Sequence, residues 1–397
     1  MNLWLRVFLP FAAGYYLSYL LRTVNAVIAP ELKRELALGA AELGLLTSAY
    51  LLTFAAFQIP LGLLLDRYGP RRVEGGLLLV AAAGTLLFAL GGSAAELAVA
   101  RGLIGLGVSS CLMAAFKGFA QNFPAERQAS LTGAGMASGG LGAVSASLPL
   151  ELALPLLGWR GVFQGLTLLL VAVAAWIFLS VPQREAGVSR ERLGAQLKEV
   201  GGILAHRVFW RYAPVMALVT GGFLAVQGLW AVPWLMQVEG MTRHQAAEVL
   251  TALNLAMLLS HLGIASFATR LARAGVPPST LLAGGFGVAL LCQAGMLAGL
   301  GPALALWFVY GVGVSGGSLA YALLSAHFTP ALSGRVTTTL NLLLFIGAFS
   351  LQWGLGVLID GLTAGGFSSA GAYRSAFAVL LALQAASYGW FLFEGRK

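Results

Sequence analysis

The first apolar run of the chain, residues 7–29, carries a set of side chains that could do chemistry: Tyr15, Ser18, Tyr19, Arg22 and Asn25. Counted from Arg22, they stand at spacings of seven, four and three residues, so a helix through this run places all of them on one face. A charged side chain at the centre of a membrane helix costs about 2.5–3.5 kcal/mol on insertion scales, so an arginine at that depth is a functional candidate by default. A fixed cation with a planar fork of donors suits a carboxylate or a phosphate, and two phenols and an amide beside it could orient the rest of such an anion. A cationic ligand is disfavoured at the same place.

Other polar groups interrupt apolar runs. Lys117 stands about one turn from the end of the fourth run, either as a second cavity cation or as an interfacial residue whose long side chain reaches headgroups. Arg101 begins the same run and could serve structure or coupling. Glu151 lies within Leu148-Pro149-Leu150-Glu151-Leu152-Ala153-Leu154, where a desolvated carboxyl group could carry a proton or else pair with Arg101. His261, seven residues after Asn254, could titrate near neutral pH or serve as a hydrogen-bonded packing residue. In the second half of the chain, Gln227, Trp230, Trp234, Asn254, Asn341, Phe345 and Gln352 could offer uncharged hydrogen bonds and aromatic faces to an organic body.

The elements that must position these residues follow from composition. Of 397 residues, 58% are apolar and only 10% charged, against roughly 25% charge in soluble domains. The mean hydropathy is +0.84. At about 20 residues per bilayer crossing, a dozen helices need ~240 residues. Apolar segments fall at 7–29, 42–65, 74–91, 97–121, 131–157, 162–181, 210–236, 246–268, 280–299, 303–327, 336–360 and 372–392, which predicts twelve transmembrane helices. The first continues through Arg22, Asn25 and Pro30 without a small-residue cleavage site and is read as a retained span. Cys111 and Cys292 both lie in apolar runs, so a disulfide framework is not indicated.

The net charge of +9 is a map of orientation. One set of alternate loops holds sixteen basic residues: Arg6, Arg67, Arg71, Arg72, Arg127, Arg184, Arg190, Arg192, Lys198, Arg207, Arg211, Arg270, Arg273, Arg335, Arg396 and Lys397. The other holds five: Lys33, Arg34, Arg160, Arg243 and Arg374. The positive-inside rule then places both termini in the cytoplasm, and nucleic acid is not expected as a partner. The polar stretch 182–209 separates an expected N-terminal bundle, 1–181, from a C-terminal one, 210–397. At an offset of 206 residues, Ala40-Ala41-Glu42 matches Ala246-Ala247-Glu248, and Arg67 and Gly69 match Arg273 and Gly275. The same offset maps Gly105, Gly107, Val108, Ser109 and Pro124 onto Gly311, Gly313, Val314, Ser315 and Pro330, as in a duplicated six-helix unit.

The loop Gly62-Leu63-Leu64-Leu65-Asp66-Arg67-Tyr68-Gly69-Pro70-Arg71-Arg72 resembles the signature loop G-x-L-x-D-R-x-G-x-R-R of the major facilitator superfamily. Arg101-Gly102-Leu103-Ile104-Gly105-Leu106-Gly107 resembles its fourth-helix pattern R-x-x-x-G-x-G. The resemblance implies an all-α membrane protein of two pseudo-symmetric six-helix bundles about a central cavity, working by alternating access. Physically, Asp66 can cap backbone amides or pair with a loop arginine, Gly69 permits the reversal, and Arg71 and Arg72 stay in water. Asp66, Arg67, Gly69, Arg71 and Arg72 are therefore expected to form a conformational latch, a lopsided one because Asp66 maps to Ala272 in the second half.

The stretch Tyr15 to Asn25 also resembles the first helix of the superfamily's organic-anion branches, the sugar-phosphate antiporters and the anion:cation symporters, which carry a substrate-linked arginine there. Lys117 to Arg127 is similar to their fourth-helix ending, with Asn122 in place of Trp. Leu21 stands where the symporters often have an acid, and Arg22 maps by the repeat to Gly228 beside Gln227, so the second arginine of the phosphate antiporters is missing. One cavity arginine points to a carboxylate-type small anion over a phosphorylated sugar.

The expected function is a secondary active transporter of the bacterial inner membrane that moves a small organic anion, coupled to protons. It is expected to be monomeric in the lipid bilayer, with no cofactor and no metal. Expected substrate contacts are Arg22, Tyr15, Tyr19, Asn25, Lys117, Gln227, Trp230, Asn254, Asn341 and Gln352; Glu151, His261 and Arg101 are the candidates for proton coupling. Two other readings stay open: an exporter of drugs or hydrophobic metabolites, and a transporter-like sensor or assembly factor. An enzyme is not expected, because no nucleophile with a base and no metal-ligand cluster appears in the sequence.

Overall fold

The computed structural model describes residues 3–124, 127–183, 193–329 and 332–394, and every regular element among them is helical. In a chain this apolar the reason is backbone hydrogen bonding, since only a structure that satisfies its own N–H and C=O groups survives in hydrocarbon. The chain begins with a π turn, Trp4–Phe8, that runs into α1, Leu9–Glu35. The helical run Ala40–Leu90 breaks at Gly69 into α2, 40–68, and α3, 70–90. Gly69 has a φ of 77°, a left-handed conformation that glycine adopts without steric cost. Next comes α4, Ala94–Asn122, interrupted at Ser109 and Ser110 and opened by a capping box between Ser93 and Glu96.

The fifth helix, α5, is Gln128–Ser145, followed after a short break by Leu148–Ser180, which is itself split at Gly158. Residues 148–157 complete the fifth expected span in sequence, and α6 is 159–180. A short helix, α7, spans Leu193–Ala205. The later helices are α8, Arg207–Gln237; α9, Arg243–Arg273; α10, Pro278–Ala298; α11, Ala303–Ser325; α12, Ser333–Ala364; and α13, Ser369–Glu394.

Among the described residues, ten helical segments are long and apolar enough to cross a membrane. The first and fifth expected spans are helical but fall outside that set. Tyr15, Tyr16, Tyr19, Arg22 and Asn25 lower the hydropathy of α1, and α5 ends early at the break before Ser147. Arg184, Arg190, Arg192, Glu126, Pro330, Arg396 and Lys397 lie outside the described residues, as do the side chains of Arg270 and Arg273.

By contacts the chain forms two units, Met1–Leu38 with Ala49–Leu193, and Gly39–Ser48 with Gly194–Lys397. Within the first, α1 packs most extensively on α5, and within the second α11 packs on α9 and α10. The repeated glycines are where helices approach closely. A Cβ on Gly105 would collide with the Tyr50 carbonyl oxygen of α2, and one on its repeat mate Gly311 would come within 2.8 Å of the Leu253 carbonyl oxygen of α9. Gly107 and Gly313 do the same against α3 and α10, with the carbonyl oxygens of Leu77 and Gly285 each 2.6 Å from the missing Cβ.

Two ties fasten the ends of the first unit. Trp159 Nε1 donates to Glu35 Oε2 at 2.7 Å, and Arg160 forms an ion pair with the same carboxylate while lying 4.1 Å above the Trp159 ring. At the other end, Arg71 donates to the Phe178 carbonyl, and Arg6 and Ser180 exchange hydrogen bonds.

Candidate functional site

Arg22 is 8% exposed in the interior of the first unit. Its guanidinium carbon lies 4.5 Å from the centre of the Tyr19 ring, 5.1 Å from that of Phe54 and 6.0 Å from that of Tyr50. Tyr19 belongs to the same face of α1 one turn earlier, and its ring meets Tyr15 edge-on at 5.1 Å. Gly139 of α5 makes room for both phenols, since a Cβ there would lie 2.6 Å from the Tyr15 ring. The stripe read from the sequence therefore exists as a surface, with Ser18 and Asn25 buried on it. Both polar atoms of the Asn25 side chain lack a hydrogen-bond partner among the described residues, an arrangement that a ligand or water would complete.

The other wall comes from α2. Tyr50, Phe54 and Gln58 stand at four-residue spacing, so they share one face. The Tyr50 hydroxyl donates to the Ser18 carbonyl at 3.3 Å, and Gln58 Nε2 donates to the Ser109 carbonyl at 3.3 Å, across the interruption in α4. Arg101, only 1% exposed, donates from Nη1 to the Leu21 carbonyl at 2.8 Å and places its guanidinium carbon 4.8 Å from the Tyr50 ring centre. Two guanidinium groups thus converge on one phenol. The sequence reading missed Tyr50 and Phe54, although their spacing on the second span was a usable signal. It also missed Glu74, fully buried on α3, because two arginines beside it mark that point as the edge of a loop.

Lys117 forms an ion pair with Asp66, which joins a residue of the expected substrate set to one of the expected latch. Asp66 was expected to cap amides or to pair with a loop arginine, but its partner is a lysine on α4. Arg67 lies over the Tyr68 ring at 5.3 Å, and Arg72 is exposed. Glu151 is half-buried in the first turn after Ser147, and His261 is half-buried on α9.

In the second unit, α8 contains two π turns, Met216–Thr220 and Val226–Trp230, and the second holds Gln227 and Trp230. Such turns shift side-chain register within a helix and occur often at functional sites. Gln227 Nε2 donates to Asn254 Oδ1 at 2.6 Å, and the Tyr321 hydroxyl donates to Asn341 Oδ1 at 2.8 Å. Trp230 Nε1 donates to the Gln352 carbonyl at 2.9 Å, and Gln352 Nε2 donates to Thr47 Oγ1 at 2.7 Å. Trp234 and Phe345 are buried in the packing. The uncharged polar residues expected of this half thus fall into three hydrogen-bonded groups. Asp360 accepts from the backbone N–H groups of Ala40 and Ala41 at 2.9 and 2.7 Å and so caps the start of α2.

Long apolar helices packed through glycines, with arginine, glutamate and amide side chains buried among them, mark a polytopic membrane protein. The chain belongs to the Major Facilitator Superfamily, whose family model matches residues 11–351. Solved structures agree on the fold. A bacterial homolog of the human lysosomal transporter Spinster superposes with a TM-score of 0.77 at 18% identity, covering 98% of this chain and 96% of that one. A D-xylose-proton symporter gives 0.74 at 15% identity, covering 96% of each.

Among curated proteins, the "Probable sulfoacetate transporter" of Cupriavidus necator is 27% identical over 190 residues, 47% of this chain and 43% of that protein. The hexuronate transporter of Escherichia coli strain K12 is 27% identical over 216 residues, 50% of each. The chain thus matches about half the length of these curated relatives.

Proposed function

We propose that this transporter moves a small organic anion of the carboxylate type across a bacterial inner membrane by alternating access, with proton coupling and with both termini in the cytoplasm. The observation that carries the reading is Arg22, a guanidinium buried among the Tyr19, Phe54 and Tyr50 rings. Aromatic faces hold a cation without cancelling its charge, and low surrounding dielectric strengthens its attraction for an anion. Arg22 binds the carboxylate, and Tyr15, Tyr19 and Asn25 orient the group attached to it. The relatives named for sulfoacetate and hexuronate support an organic acid, since both substrates bear a carboxylate. Asp66 with Lys117, and the loop residues Arg67, Gly69, Arg71 and Arg72, serve as the latch. Of the candidates for the proton step, Arg101 is committed to the Leu21 carbonyl and positions α1, which leaves Glu151 and His261 as the other two candidates.

The test is ligand-induced thermal stabilisation of the purified protein against sulfoacetate, glucuronate, an aliphatic monocarboxylate, a sugar phosphate, a neutral sugar and an organic cation. Stabilisation by the carboxylates, followed by their uptake into proteoliposomes under an inward proton gradient, is the expected result. Stabilisation by the cation and not by the acids overturns the anion reading, and uptake indifferent to the gradient removes the coupling.

A further inference from the structure

Glu74 lies on α3, five residues past the Gly69 break, and has no solvent exposure. Neither carboxyl oxygen has a hydrogen-bond partner meeting ordinary geometry among the described residues. Its surroundings are closed on several sides. On α1, a Cβ added to Gly14 would collide with Glu74 Oε1 and lie 3.4 Å from Cδ, so the carboxyl group rests on the bare backbone of that glycine, beside Leu78. On α4, the Cys111 thiol is its polar neighbour and a weak donor. The turn after Glu74 is sealed by the Phe178 ring of α6, 2.7 Å from a Cβ at Gly75. Arg71, near in sequence, is turned away to the Phe178 carbonyl. The same Cys111 lies within electrostatic reach of Tyr15 and Arg22. Cys111 thus neighbours the buried acid and is within electrostatic reach of the candidate anion site.

A carboxylate sealed in this way without a strong donor or a cation is among the most costly arrangements in a protein interior, and buried acids are retained where a proton must be held and released. We propose that Glu74 is the proton-binding site of this carrier, and that its protonation is linked to occupation of the Arg22 site. The statement rests on the anion-carrier reading above and deepens it. An anion bound at Arg22 brings a second negative charge near the Cys111 thiol that both groups reach, which favours the neutral acid, so the carboxylate takes up one proton. When the anion leaves, the proton is released to water. Linkage is reciprocal, so protonated Glu74 raises affinity for the anion as much as the anion raises affinity for the proton. Three charged or titratable groups take part in this balance: Cys111 on α4, and Tyr15 and Arg22 on α1. Gly14 is part of the device, because any larger residue would displace the carboxyl group from α1.

The experiment compares wild-type protein with Glu74→Gln, an isosteric mimic of the protonated acid, and Glu74→Asp, which keeps a titratable group one methylene further from α1. Glu151→Gln and His261→Asn test the two competing candidates. Radiolabelled glucuronate and sulfoacetate are followed in proteoliposomes in two modes, exchange with the same anion inside and accumulation driven by a pH gradient. Affinity is measured at several pH values, and the pH-difference infrared spectrum reports protonated carboxyl groups without any ligand.

The expected result is that wild type binds anion about 5- to 150-fold more tightly at acidic than at alkaline pH. Glu74→Gln keeps exchange, loses that dependence and gradient-driven accumulation, and lacks one protonated-carboxyl band. Glu74→Asp keeps accumulation with a displaced pH profile. Accumulation by Glu74→Gln, or its loss in Glu151→Gln or His261→Asn in place of Glu74→Gln, overturns the proposal while the anion-carrier reading stands. Wild-type protein that moves no anion, or ignores the gradient, overturns that reading and this one together. Should Glu74→Gln fail to fold, the Glu74→Asp profile decides, since an unshifted profile refutes the assignment.

Discussion

Replacement of Arg22 tests the chemistry most directly, and its size can be worked from the site. The guanidinium is 8% exposed and has three aromatic rings within 6.0 Å of its central carbon, so a bound carboxylate meets it largely out of water. Truncating one partner of a buried, hydrogen-bonded charge pair costs about 2–5 kcal/mol, much of it the penalty on the charge left behind. At roughly 1.4 kcal/mol per tenfold, Arg22→Gln is expected to weaken anion binding by about 30- to 4,000-fold. Arg22→Lys keeps the charge but loses the planar fork, and an intermediate loss of about tenfold is expected from one charge-assisted hydrogen bond. Lost contacts with the rings lower the stability of the unliganded protein by about 0.5–2 kcal/mol, so folding must be verified by size-exclusion profile before affinities are compared. The assay is direct titration of purified protein with glucuronate and sulfoacetate, ranked as wild type, Lys, Gln. Binding by Arg22→Gln within threefold of wild type would refute the reasoning, and equal losses for Lys and Gln would refute the role assigned to the fork.

Three further outcomes follow from other contacts. Lys117→Met and Asp66→Asn remove the two ends of one ion pair, so their effects on uptake rate should be strongly non-additive; purely additive losses in the double variant would show that the pair is not the functional unit. Glu35 is held below the usual carboxylate range by the Trp159 indole donor and then by Arg160. Its contribution to stability is present above its unfolded value of about 4.3 and is lost as pH falls through the lower folded value, so melting curves between pH 6 and pH 3 should fall less steeply in Glu35→Gln. Asp360→Ala removes the acceptor from two N–H groups at the start of α2 and should cost about 0.5–2 kcal/mol in detergent stability, with Asp360→Asn retaining part of it. Equal melting of Asp360→Ala and wild type would show that the cap carries no weight.

Much of the architecture was legible because membrane helices are written in local hydropathy. The basic residues crowd into alternate loops, and the 206-residue repeat picks out Gly105, Gly107, Gly311 and Gly313, all of which prove to be close-approach points. Arg22 was legible for the same local reason: a charge in an apolar run is conspicuous, and helical spacing shows what shares its face. Helix ends were less legible. The first and fifth spans fall short of the others, through the polar stripe Tyr15 to Asn25 inside α1 and the break after Ser145.

What the sequence by itself determined is the run of apolar helices, the family motifs and the arginine inside the first of those helices, because each depends on residues within a turn or two of one another. Partners depend on tertiary structure. Lys117 could reach water or a cavity by sequence, and only the packing of α4 beside the end of α2 ties it to Asp66. Tyr50 receives two guanidinium groups because α1, α2 and α4 converge there. Glu74 reads as a charge at the rim of a loop, yet the bare backbone of Gly14 and the Cys111 thiol meet it from two other helices. Desolvation is a property of all the surrounding atoms at once, and no window along the chain contains them.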